Sequence, residues 1–330
     1  MTPKDYIIRG IRRFYRTITK KQFLKPECDY DRQSSNDKIY ELLSSGKPCM
    51  ISRFGTVELN CINNYLCVKK GESQFLSGIK NFIFDNTHTP WWNTDHFISM
   101  QNFAGIFPPS KETAEKFSEI SLESASKIDI LACHQYYEKF MPVEKAEKIQ
   151  LEMLYPFFVE KPWTRALKGK KVLVVHPFDR TIQSQYKIRE KLFDNPDILP
   201  AFNLITLRAE QTIGGESRFK SWFESLDYMK EEIAKIDFDV CILGCGAYGM
   251  PLAAYVKDLG KQAIHIGGGT QLLFGIKGKR WVEQYNNIWH YRPGIDISIN
   301  YRPLFNDSWV FPDNSEKPKT AKKVEDGCYW

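Results

Sequence analysis

The sequence predicts an α/β protein with a Rossmann-like, mostly parallel sheet flanked by helices and with an N-terminal amphipathic helix. Three observations support this fold class. Short apolar runs alternate with stretches of helical periodicity through the second half of the chain. The runs are bounded by glycine or polar residues, as buried parallel strands usually are. The composition, with 42% hydrophobic and 26% charged residues, is typical of a globular protein.

The first half of the chain gives a less regular pattern. "PCMISRF" is an apolar run suited to a buried strand, and "TVELNCINNYL" follows it with helical spacing. Residues 82–110 are rich in Trp, Phe, Asn and Pro, which predicts a long loop or irregular insertion. A helix with Ser110 as its N-cap should follow. We then expect a strand at "IDILACH" and a helix over residues 143–155.

The second half alternates clearly between predicted strands and helices. The strands are "KKVLVVHPF", "FNLITLRA", "FDVCILG" and "QAIHIG". The helices between and after them are "TIQSQYKIREKLF", "SRFKSWFESLDYMKEEIAKI", "PLAAYVKDLG" and the short "TQLLFGI". Such alternation predicts a parallel sheet covered by helices.

Composition shifts divide the chain into three parts. We expect a basic helical arm over residues 1–25, a single α/β domain over residues 26–306 and a polar tail over residues 307–330. The eight cysteines have no C-x-x-C spacing, and no apolar run reaches the roughly 18 residues of a membrane span. These features predict a reduced, cytoplasmic protein without disulfides.

The N-terminal arm carries the whole net charge of +6. The chain holds 46 basic and 40 acidic residues; residues 1–22 account for seven of the basic and one of the acidic, which leaves 39 of each. On a helix, isoleucines and aromatics of the arm face away from its arginines. This pattern predicts a helix on an anionic inner-leaflet surface. The alternatives are a helix packed on the body with a solvated basic face, or a nucleic-acid arm; since the body is neutral, we expect no nucleic-acid partner.

A glycine loop follows one predicted strand and opens a helix. In "VCILGCGAYGMPLAAYV" the spacing is Gly-x-Gly-x-x-Gly, which lets a backbone approach a phosphate near a helix N-terminus. An NAD site would need an acidic residue after the next strand, but "QAIHIGGGTQ" has none. A nucleotide or phosphate site is therefore favoured over an NAD site or a purely structural turn. The candidate contact residues are Gly244, Gly246, Gly249, His265, Gly267, Gly268, Gly269 and Gln271.

Polar residues also follow two other predicted strands. Arg53 and Glu58 follow the first strand, and His176 and Asp179 follow "VLVV". Because the carboxyl ends of parallel strands share one edge of the sheet, these groups and the glycine loop predict one site. The structural alternatives are an N-cap role for Asp179 and a hydrogen bond from His176 to a backbone carbonyl.

The stretch "ISRFGTVEL" resembles the Arg-x-Gly-Asp-Gly-Glu motif of the GT-D-fold glycosyltransferases. "CILGCGAYGMPLAAYVKDLGKQAIHIGGG" is similar to the glycine-containing strand–helix–strand near that family's C-terminal end. Together the resemblance covers residues 48–67 and 170–280. These bacterial enzymes act in surface-polysaccharide and glycoprotein synthesis. The resemblance implies a nucleotide-sugar donor, a divalent metal and an Asp-x-Glu pair that binds both.

The match to that motif is incomplete. Arg53, Gly55 and Glu58 agree with it, whereas Thr56 replaces the family's Asp. A Mn²⁺ or Mg²⁺ ion could then be held by Glu58 with phosphates and waters, be completed by Asp179, or be dispensed with. All three arrangements stay open at this point.

The resemblance implies a glycosyltransferase that works at the inner face of the cell membrane on a lipid-linked or protein-linked glycan acceptor. Arg53 would pair with phosphate beside Gly55 and Thr56, Glu58 would bind metal or a sugar hydroxyl, and Asp179 would act as a base. Two alternatives are an NAD(P)-dependent oxidoreductase and a catalytically inactive nucleotide-binding module on the membrane.

Overall fold

One sheet of seven parallel strands forms the centre of the computed structural model, which describes residues 3–19, 26–85, 87–284, 300–323 and 327–330. The strand order is β3-β2-β1-β7-β6-β4-β5, and every neighbouring pair is parallel. The predicted α/β fold class is confirmed. The strands are β1 (Cys49–Ser52), β2 (Ile130–Cys133), β3 (Glu147–Gln150), β4 (Lys171–His176), β5 (Asn203–Arg208), β6 (Val240–Leu243) and β7 (Gln262–His265).

Nine α-helices lie in the described part of the chain, including the predicted N-terminal one. Ser110 caps α5 by accepting a hydrogen bond from the Thr113 backbone N–H, as the sequence predicted. The helices are α1 (Pro3–Thr19), α2 (Arg32–Ser44), α3 (Thr56–Phe84), α4 (Thr94–Ser99), α5 (Lys111–Ala125), α6 (Asp179–Tyr186), α7 (Trp222–Ala234), α8 (Gly249–Asp258) and α9 (Gly269–Leu273).

The sheet has a hydrophobic core on each face, because successive strand residues point to opposite sides. Leu173 and Val175 of β4 face the core made with α3, α5, α7 and α8. Val172 and Val174 of the same strand face the core made with α2, α6, α9 and the C-terminal segment. Burial on both faces explains why the central strands read as continuous apolar runs.

The structure differs from the prediction at two places in the first half. The helix expected over residues 143–155 is strand β3 followed by a 3₁₀ turn. The strand forms because all four of its residues pair with β2, and the backbone of Asp29 pairs with its outer side, accepting from the Gln150 N–H. The insertion expected over residues 82–110 contains the end of α3, helix α4 and a π-helical turn at Met100–Ala104.

Residues 307–330 have the polar composition that the sequence suggested, but most of the described part packs against the body. Trp309 and Trp330 are buried in the second core, and the Trp309 indole N–H donates to the Leu192 carbonyl. Glu316 is 1% exposed and caps α6: its carboxylate accepts from the backbone N–H groups of Arg180 and Thr181 and from the Thr181 hydroxyl. Residues 324–326 of the expected tail lie outside the described residues.

Replacing Glu316 with alanine is expected to destabilise the fold by about 2–3 kcal/mol, because buried donors at the start of α6 lose their acceptor. Urea unfolding measures this loss. Glu72→Ala, which removes an exposed carboxylate from α3, is the control and should change stability by less than about 0.5 kcal/mol. Equal stability of both variants would show that the cap at α6 is dispensable.

Candidate functional site

The predicted site residues follow four strands that lie side by side in the centre of the sheet. These strands are β1, β7, β6 and β4, in that order across the sheet. The chain leaves β4 toward β5 on one side and leaves β6 toward β7 on the other. Such a reversal between neighbouring strands opens a crevice at their carboxyl ends, where α/β proteins bind ligands. We call the polar residues at these four ends the strand-end site.

His265 forms part of the floor of the strand-end site. Its Nδ1 hydrogen-bonds the Ser52 hydroxyl at 3.2 Å, and its ring lies so close to Gly249 that a Cβ there would clash with it. Burial and the charge of Arg53 lower the pKa of His265 to about 3. Its Nε2 is buried and has no hydrogen-bond partner. The ring is therefore neutral near pH 7.

His176 occupies the matching position at the end of β4. Its Nδ1 accepts a hydrogen bond from the Phe178 backbone N–H at 3.0 Å, so the ring proton lies on Nε2. Its ring lies against Gly244. A side chain at Gly244 would clash with this ring, and its Cβ would also lie 2.6 Å from the Thr270 hydroxyl. Burial lowers the pKa of His176 to about 3. The sequence suggested that His176 donates a hydrogen bond to a backbone carbonyl. In the structure, His176 Nδ1 instead accepts a hydrogen bond from a backbone N–H.

The two histidines explain two of the three glycines in the predicted phosphate loop. Gly244 and Gly249 each give room to an imidazole ring, so their Cα atoms face packed protein. Gly246 differs, because it is exposed, has a φ of 58° and has nothing within 4 Å of the place where its Cβ would be. Of the three glycines, Gly246 thus has the most space for a ligand beside its backbone.

Arg53 lies where the ends of β1 and β7 meet. It is half-buried, and its guanidinium carbon would be 3.8 Å from a Cβ on Gly267. Its Nε is buried without a hydrogen-bond partner. Gly267 has a φ of 66°, which a side chain would strain, so a glycine keeps this turn close to the guanidinium. An unpaired donor of a charged group beside such a turn is suited to an anionic ligand.

Glu58 lies in the first turn of α3, where Gly55 is the N-cap residue and Thr56 is exposed. Its carboxylate folds back over Gly55, where a Cβ would clash with it. Burial raises the pKa of Glu58, and the nearby charge of Arg53 opposes this effect. A carboxylate at this position also interacts favourably with the helix N-terminus. Glu58 is therefore both a helix-end residue and a carboxyl group close to Arg53.

Asp179 is the first residue of α6 and is half-buried. The alternative that it caps this helix is wrong, because Phe178 occupies the N-cap position and Glu316 accepts the free N–H groups. Asp179 Oδ1 is buried without a hydrogen-bond partner. Its carboxylate is thus available to another group at the end of β4.

Gly268 and Gly269 are covered by the aromatic side chains of Tyr329 and Tyr155, which no sequence pattern indicated. A Cβ at Gly268 would be 2.9 Å from the Tyr329 ring, and one at Gly269 would clash with the Tyr155 ring. Arg280 donates to the Tyr329 hydroxyl at 3.0 Å. Burial raises the pKa of Tyr155 to about 12, and the charges of Arg53 and Arg280 oppose this effect. A second arginine therefore lies near the glycine turn.

Gln271 was predicted to contact a ligand, but its side chain is 1% exposed and serves the backbone. Its Nε2 lies within hydrogen-bonding distance of the carbonyls of Ile276, Lys277 and Tyr329. These contacts join α9 to the segment after it and to the C-terminus. The structure thus gives Gln271 a role in holding the walls of the site together.

The described side chains do not by themselves form a complete site for a Mg²⁺ or Mn²⁺ ion. These ions prefer several carboxylate or other oxygen ligands. Position 56 carries an exposed threonine where the resemblance implies Asp, and the Glu58 carboxylate lies on the Gly55 backbone. Within the described ranges, no three His, Cys, Asp or Glu side chains are grouped so that they could hold a metal ion.

Comparisons of the chain with protein-family models, with curated proteins and with solved structures found no match. The resemblance of residues 51–59 to the GT-D motif therefore stays a prediction.

Proposed function

We propose that this protein is a glycosyltransferase that moves a sugar from a nucleotide-sugar donor to a hydroxyl group of a glycan acceptor, in bacterial surface-polysaccharide or glycoprotein synthesis. The observation that carries the proposal is the position of Arg53. Its unpartnered Nε lies next to the Gly267 turn, between two central strands. A nucleoside diphosphate supplies oxygens that pair with such a donor.

The diphosphate is the leaving group of the reaction, so its developing charge must be stabilised. Arg53 supplies a fixed positive charge at the Gly267 turn, and Arg280 supplies a second one on the Tyr155 side of it. The exposed backbone at Gly246 offers room for a phosphate oxygen near the start of α8. Charged donors held in place before the reaction are the usual means of stabilising such a leaving group.

A carboxylate completes the reaction by taking the proton of the acceptor hydroxyl. The hydroxyl oxygen then forms a bond to the anomeric carbon of the sugar, as the bond from that carbon to the diphosphate oxygen breaks. Glu58 is the first candidate for this base, because burial raises its pKa toward the range in which a base is effective. Asp179, with its unpartnered oxygen, is the second candidate. His176 and His265 are neutral and shape the floor.

A nucleotide-binding module without catalysis is the second candidate function. The contact of Glu58 with Gly55 favours it, because a carboxylate used only to stabilise the start of α3 would leave the site without its base. The oxidoreductase alternative depends on the glycine loop, yet two of its three glycines face histidine rings. Nucleotide binding alone does not separate the first two functions, so turnover must be measured as well.

Calorimetry with UDP, GDP, dTDP and NAD tests the proposal. We expect one nucleoside diphosphate to bind, with an affinity that EDTA leaves unchanged. Arg53→Ala should weaken this binding by about 100-fold, because a charge-assisted contact to phosphate is lost. Arg302→Ala, an exposed arginine outside the strand-end site, is the matched control. Binding of NAD alone, or equal affinity of the two variants, would overturn the proposal.

A further inference from the structure

Helix α1 turns its apolar face away from the protein. The side chains of Tyr6, Ile7, Ile11, Phe14 and Ile18 are between 47% and 70% exposed. The last four recur at spacings of four, three and four residues, so they form one stripe along the helix. A helix packed on a soluble protein normally buries such a stripe.

The opposite side of α1 contacts the body. The Arg12 guanidinium lies 4.1 Å from the centre of the Phe82 ring of α3, and Tyr15 packs edge-on against Phe84 at 4.9 Å. Arg12 also hydrogen-bonds Tyr137, and burial lowers the pKa of Arg12. The helix is therefore packed on the body, as one alternative proposed, but it packs through Arg12 and Tyr15 and leaves its apolar stripe exposed.

An exposed stripe of this kind needs an apolar partner, since soluble surfaces seldom leave several large side chains in a row in water. None of the described helices is long and apolar enough to cross a membrane. The charge of the arm indicates what the partner is. Residues 1–22 carry the whole net charge of +6, and the described arginines Arg9, Arg12, Arg13 and Arg16 flank the stripe or lie beneath it. Lys20 and Lys21 lie outside the described residues.

We propose that α1 lies in the plane of an anionic membrane surface, with Ile7, Ile11, Phe14 and Ile18 inserted between the lipids. Arg13, the exposed arginine of the described helix, then lies at the level of the headgroups, where positive charge and an apolar stripe reinforce each other. The body stays outside the bilayer and is held by the contacts of Arg12 and Tyr15.

This orientation places α1 beside the edge of the sheet that carries the strand-end site. Tyr137, which Arg12 binds, belongs to the turn Tyr136–Phe140 that follows the carboxyl end of β2. β2 is the neighbour of β1, whose own carboxyl end precedes Arg53. A lipid-linked acceptor could then reach the site without leaving the membrane. This last point rests on the proposed function, whereas membrane binding itself does not.

Flotation of the full chain with vesicles tests the proposal. The protein should float with phosphatidylcholine vesicles that contain phosphatidylglycerol, and less with phosphatidylcholine alone. Ile11→Ser combined with Phe14→Ser should lower the bound fraction about tenfold, because two inserted side chains are lost. Phe311→Ser is the matched control, since Phe311 is 51% exposed and lies outside α1. Nucleoside diphosphate binding, measured on the same variants, should stay unchanged.

Three results would overturn the membrane proposal. They are absence of flotation, flotation that the double substitution leaves unchanged, and a dimer in light scattering that the double substitution converts to a monomer. The last result would mean that a second copy of the chain covers the stripe. Loss of vesicle binding with intact nucleotide affinity leaves the proposed function standing, so the two proposals fail separately.

Discussion

Glu58→Gln is expected to lower sugar transfer by about 100- to 10,000-fold, the range that a general base contributes. Glutamine keeps the shape of the side chain and an oxygen to lie over Gly55, but it cannot take a proton at neutral pH. The affinity for the nucleoside diphosphate should change by no more than about threefold, since Arg53 is intact. Release of nucleoside diphosphate from the bound nucleotide sugar measures the rate.

Glu72→Gln is the control for this experiment. Glu72 lies on the same helix α3, but its side chain is 60% exposed and pairs with Lys69 at the surface. Normal transfer by Glu58→Gln would assign Glu58 to the helix end alone and move the base to Asp179. Urea unfolding of both variants separates a lost base from a weakened start of α3, because only the second effect lowers stability.

The sequence predicts the central part of the sheet well for a physical reason. β1, β4, β6 and β7 are buried apart from Lys171 at the start of β4, so the residues between their ends are apolar and the runs are conspicuous. β3 is four residues long, half-exposed at its start and paired with the backbone of Asp29. Because Ile149 is the single apolar residue among Glu147, Lys148 and Gln150, β3 has no apolar run to detect.

The strand-end site is predictable only where a side chain directly follows a strand. Arg53, His176 and His265 could be found in this way, because the carboxyl ends of parallel strands share an edge. Tyr329 reaches the same edge from the end of the chain and accepts a hydrogen bond from Arg280, and Glu316 reaches α6 from the C-terminal segment as well. These positions follow from tertiary packing. The polar composition of residues 307–330 gave no indication of that packing.

The orientation of α1 shows a second limit of sequence patterns. Helical periodicity separates an apolar face from a basic face, but it does not state which face contacts the body. Here the aromatic rings of Phe82 and Phe84 on α3 receive Arg12 and Tyr15. Cation–π and edge-on ring contacts of this kind allow the basic side to pack.

The free energy of unfolding is expected to fall as the pH drops below about 6.5. His176 and His265 have pKa values of about 3 in the folded protein, because both rings are buried. In the unfolded chain each takes up a proton near its ordinary pKa. Below that value the unfolded state binds more protons, so each histidine removes about 1.4 kcal/mol of stability per pH unit until the folded pKa is reached.

Other groups modify this slope in directions that can be assigned. His88 also has a pKa of about 3, mainly from burial, and adds to the loss. Glu58 acts in the opposite direction, because its raised pKa lets the folded state take up a proton first as the pH falls. Asp29, with a pKa of about 2, adds a further loss only below about pH 3.8. Between neutral pH and about pH 5 the histidines therefore dominate.

Urea midpoints at about pH 7, 6 and 5, for the full chain and for His176→Gln, measure this effect. Glutamine offers an oxygen to the Phe178 N–H but cannot be protonated, so the variant should lose about 1.4 kcal/mol less per pH unit than the parent chain. Nucleotide binding measured over the same range should keep its strength, because both rings stay neutral in the folded state. A flat stability profile would mean that both rings are open to water and protonate in the folded state, and the same slope in both proteins would mean this for His176 alone. The glycines that lie against them would then have another purpose.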